Sequence, residues 1–208
     1  MRISFRELNE AIIHPRLFRR KLRGPQGPAP FFRYSYYNVL VNSIFHFHNY
    51  FNDPNEGEDY LIEKLNAFKN DQRKEYIVDQ FKWYVGDYLG KNITTFEVRQ
   101  NIRILPEIPL KTDVTISGQI SRIDIVPAGG YLAWVFRNRD SSGWVSEFSM
   151  PLIQYELANR ILKVPNNEIT IGIYNFTERV IEQHCYSEQE LHDAKHNLEK
   201  LLKTLSIA

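Results

Sequence analysis

The amino-acid sequence predicts an α/β fold, with a mixed central β-sheet flanked by helices and a helical N-terminal portion. Up to residue 91, apolar residues recur at spacings of three and four, as they do on one face of an α-helix. From residue 93 the period changes to two, which is typical of β-strands, and two more helical patterns follow. Strands interrupted by a crossover helix and closed by a terminal helix indicate a sheet with helices packed on it. We therefore expect a single domain over residues 1–208, with a mainly helical part at 1–91 and the sheet core at 92–208.

The chain opens with the pattern of a capped helix, because Ser4 is followed three residues later by Glu7. We expect a short helix over residues 4–13 and a second, basic helical segment that begins at Pro15. The stretch RGPQGPAP, residues 23–30, is rich in proline and glycine and is expected to form a loop or a strap.

Three longer helices are expected before the sheet. The first covers residues 34–51 and is predicted to be buried, with Val41, Ile44, Phe45 and His48 on one face. Two amphipathic helices follow, at residues 58–68 and at residues 73–89, the latter ending at Gly90.

The sheet core alternates strands and helices. The expected strands are residues 94–105, 113–126, 131–138, 168–176 and 179–186. The second and third form a hairpin, because the turn dipeptide Gly129-Gly130 joins them. The crossover helix is expected at residues 149–162 with Ser149 as its N-cap, and a capped amphipathic helix at residues 187–205 closes the chain.

Net charge does not indicate a polyanionic partner, since 26 Lys and Arg residues face 25 Asp and Glu residues. The N-terminal region is nevertheless basic, and its segment RLFRRKLRG alternates basic with apolar side chains. The candidate phosphate-binding residues of this segment are Arg16, Arg19, Arg20, Lys21 and Arg23. The alternative is a solvated basic helix face. The 12 Tyr, 13 Phe and 3 Trp residues are likewise either stacking platforms for single-stranded nucleic acid or simply core.

Cysteine content and hydropathy bear on location. Cys185 is the only cysteine, which excludes an internal disulfide and suits a reducing compartment. The sequence has neither a run of about 20 apolar residues nor a signal-peptide core, so we expect a cytoplasmic protein without membrane attachment.

Five segments, taken together and in order, resemble the RecB-like branch of the PD-(D/E)XK nucleases. The segments are ISFRELNEAIIHPRLFRRKL, NVLVNSIFHFHNY, GQISRIDIV, YLAWVFRN and PLIQYELANRI, and the last helix of the chain is also typical of the branch. The resemblance covers most of the chain and implies a restriction-endonuclease-like arrangement of the sheet. It also implies a place in DNA processing or defence, since the branch includes exonuclease subunits of recombination enzymes and the CRISPR-associated adaptation nuclease.

The resemblance also implies that the catalytic residues are almost all replaced. Ser121 and Val135 stand where the branch has metal-binding Asp residues, Arg137 stands where it has Lys, and Asn42 stands where it has His. The characteristic Gln is retained as Gln154. Valine offers no oxygen to Mg²⁺ or Mn²⁺, and arginine stays protonated near neutral pH, so Arg137 is suited to hold a phosphate but not to act as a base.

Other residues are candidates for a displaced metal site. Glu147 follows the turn after the third strand of the sheet core, His46 lies one helical turn beyond Asn42, and Asp124 is the carboxylate nearest to Ser121. In a regular strand the spacing of three would place Asp124 and Ser121 on opposite faces. No iron–sulfur cluster is expected, because the branch members that carry one need four cysteines, and His14 occupies the first of these positions here.

The function expected from these observations is that of a catalytically inactive nuclease-like subunit without a cofactor. Its expected partners are nucleic acid, with DNA as the expected kind, and a protein partner in a larger complex. Two alternatives stay open: an active nuclease that uses Mg²⁺ or Mn²⁺ at a displaced site, and a purely structural scaffold. Arg137 itself has two possible roles, either to bind phosphate or to pair internally with Asp124 or Glu147.

Overall fold

The computed structural model of the chain describes residues 2–23, 35–91, 93–104, 106 and 114–205, except for the side chains of residues 20–23. Its centre is a six-stranded mixed sheet with helices on both faces, which confirms the predicted fold class. The strands are β1 (Arg2–Ser4), β2 (Thr94–Ile104), β3 (Thr115–Ile125), β4 (Tyr131–Arg137), β5 (Ile169–Asn175) and β6 (Val180–His184). Only β1 was not predicted, since three residues are too few to show a period.

The helices also follow the predicted order. They are α1 (Phe5–Ile13), α2 (Pro15–Arg23), α3 (Tyr36–Asn49), α4 (Pro54–Leu65), α5 (Asp71–Leu89), α6 (Ser149–Glu156) and α7 (Glu188–Thr204). The crossover helix α6 continues as a π-helical segment, Leu157–Leu162. Of the predicted loop RGPQGPAP, residues 24–30 lie outside the described residues. No helix in the described parts of the chain combines the length and the apolar character needed to cross a lipid bilayer.

The sheet is built on β3. Its neighbours β2 and β4 both pair with it in antiparallel orientation, β5 is parallel to β4, and β6 is antiparallel to β5. The short strand β1 pairs with β3 in parallel, on the same edge as β4. One face of the sheet packs against α3, α4 and α5, and the other against α1, α6 and α7.

Caps explain where several helices begin. The predicted capping box of Ser4 and Glu7 is present, and Ser187 and Glu190 form a second one at the start of α7. The prediction for Ser149 was wrong, because Ser149 is already helical and Phe148 precedes it as a cap without a side-chain hydrogen bond.

The buried face of α3 differs from the prediction. Ile44 and Phe45 are buried as expected, but Val41 and His48 are only partly buried, and the face is completed by Leu40. Helix α3 packs against the sheet on one side and against α4 and α5 on the other. More of its circumference is therefore buried than the single apolar face of an amphipathic helix.

The alternation of β3 breaks at Ser121. Ile120 and Ile123 belong to the same cluster on the α6 face, although they are three residues apart. Ser121 instead lines a cavity beside α3, on the same side of the sheet as Asp124. The prediction that Ser121 and Asp124 lie on opposite faces was therefore wrong, because it assumed a regular strand.

Candidate functional site

The sheet forks along one edge of β3. Residues 115–117 of β3 pair with β1, and residues 122–125 pair with β4, so that residues 118–121 face a gap between these two described strands. Two adjacent cavities of about 330 and 430 Å³ open at this fork.

The two cavities differ in their side chains. The smaller, here called the arginine cavity, is lined among others by Arg6, Asn9, Arg137, Arg139 and Glu147. The larger, here called the amide cavity, is lined by Asn38, Val41, Asn42, Phe45, Arg99 and Ser121. Both also contain Tyr37, Gln119 and Phe136, so they are neighbours with a shared wall.

The arginine cavity is organised by an ion pair between Arg137 and Glu147. Arg137 ends β4, and its Nη1 and Nη2 donate to the two carboxylate oxygens of Glu147 at 2.5 and 2.8 Å. Asn9 of α1 supports the pair, because its Nδ2 donates to Glu147 Oε2 at 3.0 Å while its Oδ1 accepts from the backbone N–H of Ser149 at 2.8 Å. The Arg137 side chain is 5% exposed and that of Glu147 is 23% exposed. Of the two possible roles for Arg137, internal pairing is the one observed.

The amide cavity is organised by Arg99. This residue of β2 has a φ of 58°, in the left-handed region that non-glycine residues rarely adopt. Its guanidinium lies 4.2 Å from the ring centroid of Phe45 and donates to Asn42 Oδ1. Ser121 completes the wall, and its Oγ accepts from the backbone N–H of Phe136 at 3.0 Å.

The residues that the resemblance assigns to one catalytic cluster are thus divided. Asn42 and Ser121 line the amide cavity, whereas Val135 and Arg137 line the arginine cavity. Gln154 lines neither, since its Nε2 donates to the backbone oxygen of Tyr186 at 2.9 Å and its Oε1 accepts from the Tyr186 N–H at 2.8 Å. Gln154 therefore ties α6 to the segment between β6 and α7.

The residues that the resemblance assigns to the metal-binding and catalytic positions do not fit Mg²⁺ or Mn²⁺. The Ser121 hydroxyl already accepts a backbone hydrogen bond, Val135 has no donor atom, and Arg137 is a cation. Within the described ranges, no group of three or more His, Cys, Asp and Glu side chains converges on a point.

The three candidate ligands of a displaced metal site each contact different residues. Glu147 is bound to Arg137, as described above. Asp124 is fully buried and accepts from Arg122 Nε at 2.9 Å and Trp134 Nε1 at 2.7 Å. His46 packs between the rings of Tyr50 and Tyr60, with centroid distances of 4.2 and 4.5 Å.

Sequence reasoning missed Arg122, which is 0% exposed. Its guanidinium pairs with Asp124 and donates to the hydroxyl of Tyr84. Tyr84 Oη lies 2.6 Å from His48 Nε2, and His48 Nδ1 lies 2.7 Å from Asn52 Oδ1. The available signal was the spacing of two between Arg122 and Asp124, which places them on one face of a strand.

Burial beside Arg122 keeps His48 neutral. Burial lowers the pKa of His48 to about 3, the charge of Arg122 acts in the same direction, and the hydrogen bond to Asn52 opposes both. With Nδ1 protonated, His48 donates to Asn52 and accepts from Tyr84, which in turn accepts from Arg122.

The basic N-terminal segment does not line either cavity with the side chains that the structure describes. Arg16 is exposed and Arg19 is partly buried on α2. The side chains of Arg20, Lys21 and Arg23 lie outside the described residues.

The fork carries a positive charge. Four arginines and one glutamate line the two cavities: Arg6, Arg99, Arg137, Arg139 and Glu147. Their charges sum to +3, and because Glu147 is bound to Arg137, the fork presents no free carboxylate among these residues. Such a surface attracts anions, and its arginines have the planar donor geometry that suits phosphate.

Comparison with protein-family models finds none that matches the chain, and comparison with curated proteins also finds no match. Among solved structures, the chain is similar to a candidate exonuclease from Eubacterium rectale. The two are 11% identical over 87% of each chain, with a TM-score of 0.38.

Proposed function

We propose that this chain is a catalytically inactive nuclease-like subunit that binds nucleic acid at the fork between β1 and β4. The ion pair of Arg137 with Glu147 supports the proposal, because it engages both a residue that the resemblance assigns to the catalytic site and the carboxylate nearest to it in the arginine cavity. Glu147 can serve as a metal ligand only if it leaves a largely buried arginine without its partner, which costs several kcal/mol.

The lack of a free carboxylate among the described residues that line the fork favours binding over cleavage. Two close carboxylates without a metal ion repel a phosphate, whereas a fork with a net charge of +3 attracts one. Arg139 is available for such contact, since its side chain lines the arginine cavity and is 55% exposed, with its Nη2 3.9 Å from Glu147 Oε1. Arg99 occupies the corresponding position in the amide cavity.

The salt dependence of binding tests this proposal. The double variant Arg99→Ala/Arg139→Ala should bind a DNA oligonucleotide more weakly, and the slope of log K against log salt should fall by about 0.7–0.9 for each phosphate that the variant no longer neutralises. The matched control is Lys200→Ala/Lys203→Ala, which removes the same charge from exposed positions on α7. An equal decrease of affinity in the two variants would mean that the fork is not the binding surface. If the unmodified protein does not bind the oligonucleotide at all, the proposal is wrong and the remaining alternative is a purely structural scaffold.

A further inference from the structure

The amide cavity combines aromatic walls with side-chain amides. Phe45 and Phe136 are stacked with their ring centroids 6.0 Å apart and an interplanar angle of 17°. Asn38 and Asn42 project from α3 at the same cavity. At about 430 Å³ the cavity lies within the range of about 300–1,000 Å³ that small-molecule sites occupy.

The amides of this cavity retain hydrogen-bonding capacity. Asn42 uses its Oδ1 to accept from Arg99, so its Nδ2 keeps two donors. The side-chain amide of Asn38 has no hydrogen-bond partner in the described part of the chain, and Asn38 is exposed. An amide can donate to a ring nitrogen and accept from an exocyclic amine, which is the pattern that the edge of a nucleobase presents.

The backbone of β2 is distorted at this cavity. Arg99 is held in the left-handed region, and the regular pairing of β2 with β3 skips the pair formed by Arg99 and Ser121. Non-glycine residues in this region are strained, and such strain is concentrated at binding sites. Here it directs the guanidinium over Phe45, at the mouth of the amide cavity.

The arginine cavity adjoins the amide cavity, and the two share the lining residues Tyr37, Gln119 and Phe136. The exposed arginines Arg6 and Arg139 lie on the arginine side. A ligand that spans both cavities would therefore place a flat, hydrogen-bonding ring beside α3 and an anionic group beside α1.

We propose that one unpaired nucleotide occupies the fork, with its base in the amide cavity and its phosphate in the arginine cavity. This inference rests on the proposed function, and it adds which form of nucleic acid the site selects. A base within a duplex is stacked and paired, so it enters the amide cavity only after extrusion at a cost of a few kcal/mol. The site therefore selects single strands or strand ends over duplex.

A comparison of normal and abasic oligonucleotides tests the base pocket without any change to the protein. Two single strands of equal length have the same phosphate charge, and one of them lacks its bases throughout. Since a base in the amide cavity gains hydrogen bonds to the side-chain amides and contact with the cavity wall, the normal strand should bind at least about tenfold more tightly. Duplex of the same sequence should bind more weakly than the normal strand.

A cavity-filling variant locates the effect. Asn38→Trp places a large side chain at an exposed position of α3 that lines the amide cavity, and it should abolish the preference for the normal strand while the affinity for the abasic strand stays within about twofold. The control is Asn197→Trp at an exposed position of α7, which should retain the full preference. Thermal melting establishes that both variants are folded.

The outcomes separate the two proposals. Equal binding of the normal and abasic strands would overturn the base pocket and leave the proposed function standing. If neither strand binds, both proposals fail. A decrease of affinity for both strands to the same extent in Asn38→Trp would show that the cavity contacts the backbone, which also overturns the base pocket.

Discussion

Glu147 accepts a hydrogen bond from each terminal nitrogen of Arg137, and the pair lies at the end of β4 beside the fork. The contact is made possible by the turn after β4, since the 3₁₀ segment Trp144–Ser146 leads directly into Glu147. The positive charge of an arginine in the sheet is therefore balanced by the carboxylate of a residue ten positions later in the sequence.

This pair should contribute to stability more than an exposed ion pair does. We expect Arg137→Ala to lower the free energy of unfolding by about 2–3 kcal/mol, below the 3–5 kcal/mol typical of fully buried pairs because Glu147 is 23% exposed. Urea denaturation measures the decrease. The double variant Arg137→Met/Glu147→Leu should be destabilised by less than the sum of the two single variants, and strict additivity would contradict a direct interaction.

Purified protein should not cleave DNA or RNA in the presence of Mg²⁺ or Mn²⁺. The reason is that Glu147 is engaged by Arg137 and Asp124 by Arg122, so no pair of free carboxylates meets at the fork in the described residues. Cleavage assays with single- and double-stranded substrates check this. Activity that disappears in Glu147→Gln would support the displaced metal site, whereas activity that persists in this variant indicates a contaminating nuclease.

Asp124 should behave as a structural residue. It is fully buried and accepts hydrogen bonds from Arg122, Trp134 and Thr95, so Asp124→Ala leaves a buried cation without its partner. We expect a decrease of about 3–5 kcal/mol in unfolding free energy. Asp124→Asn keeps the shape but not the charge and serves as the comparison. A decrease below about 1 kcal/mol in Asp124→Ala would mean that Arg122 finds another partner.

Acid should destabilise the protein through His48. The unfolded chain binds a proton at His48 near pH 6.5, whereas the folded chain resists protonation until about pH 3. Stability is therefore fully present above pH 6.5 and falls as the pH drops towards 3, with a maximal slope of about 1.4 kcal/mol per pH unit. Urea denaturation between about pH 5 and 7 separates this effect from that of most carboxylates. His48→Gln should flatten the dependence, and equal slopes for both proteins would contradict the assignment.

Local patterns in the sequence predicted most elements of the fold. Apolar periods located the helices and five strands, and the pairing of Ser4 with Glu7 gave the start of α1. These features depend on neighbours within a few residues. Ser149 failed as a cap because its N–H is bound by Asn9, which is 140 residues away in the chain.

The site was less accessible to sequence reasoning. The turn after β4 was enough to predict that Glu147 approaches the end of this strand. That Glu147 pairs with Arg137 could not be predicted, because it depends on packing in three dimensions. The amide cavity lies where β3 is irregular at Ser121 and β2 is irregular at Arg99, and neither residue type signals such an irregularity. Arg122 was overlooked because arginine is rarely fully buried without a partner, and the partner was not recognised.

The gap between β1 and β4 also sets how the sheet exchanges its amide hydrogens. Residues 118–121 belong to the strand at the centre of the sheet, yet only β2 borders them among the described strands. About half of their N–H groups therefore point into the fork rather than at a neighbouring strand. Deuterium uptake should be rapid at these positions, beside slowly exchanging amides of Ile123 and Ile125. A ligand bound at the fork would then be detected as slower deuterium uptake by a few amides, without a chemical tag on either the protein or its ligand.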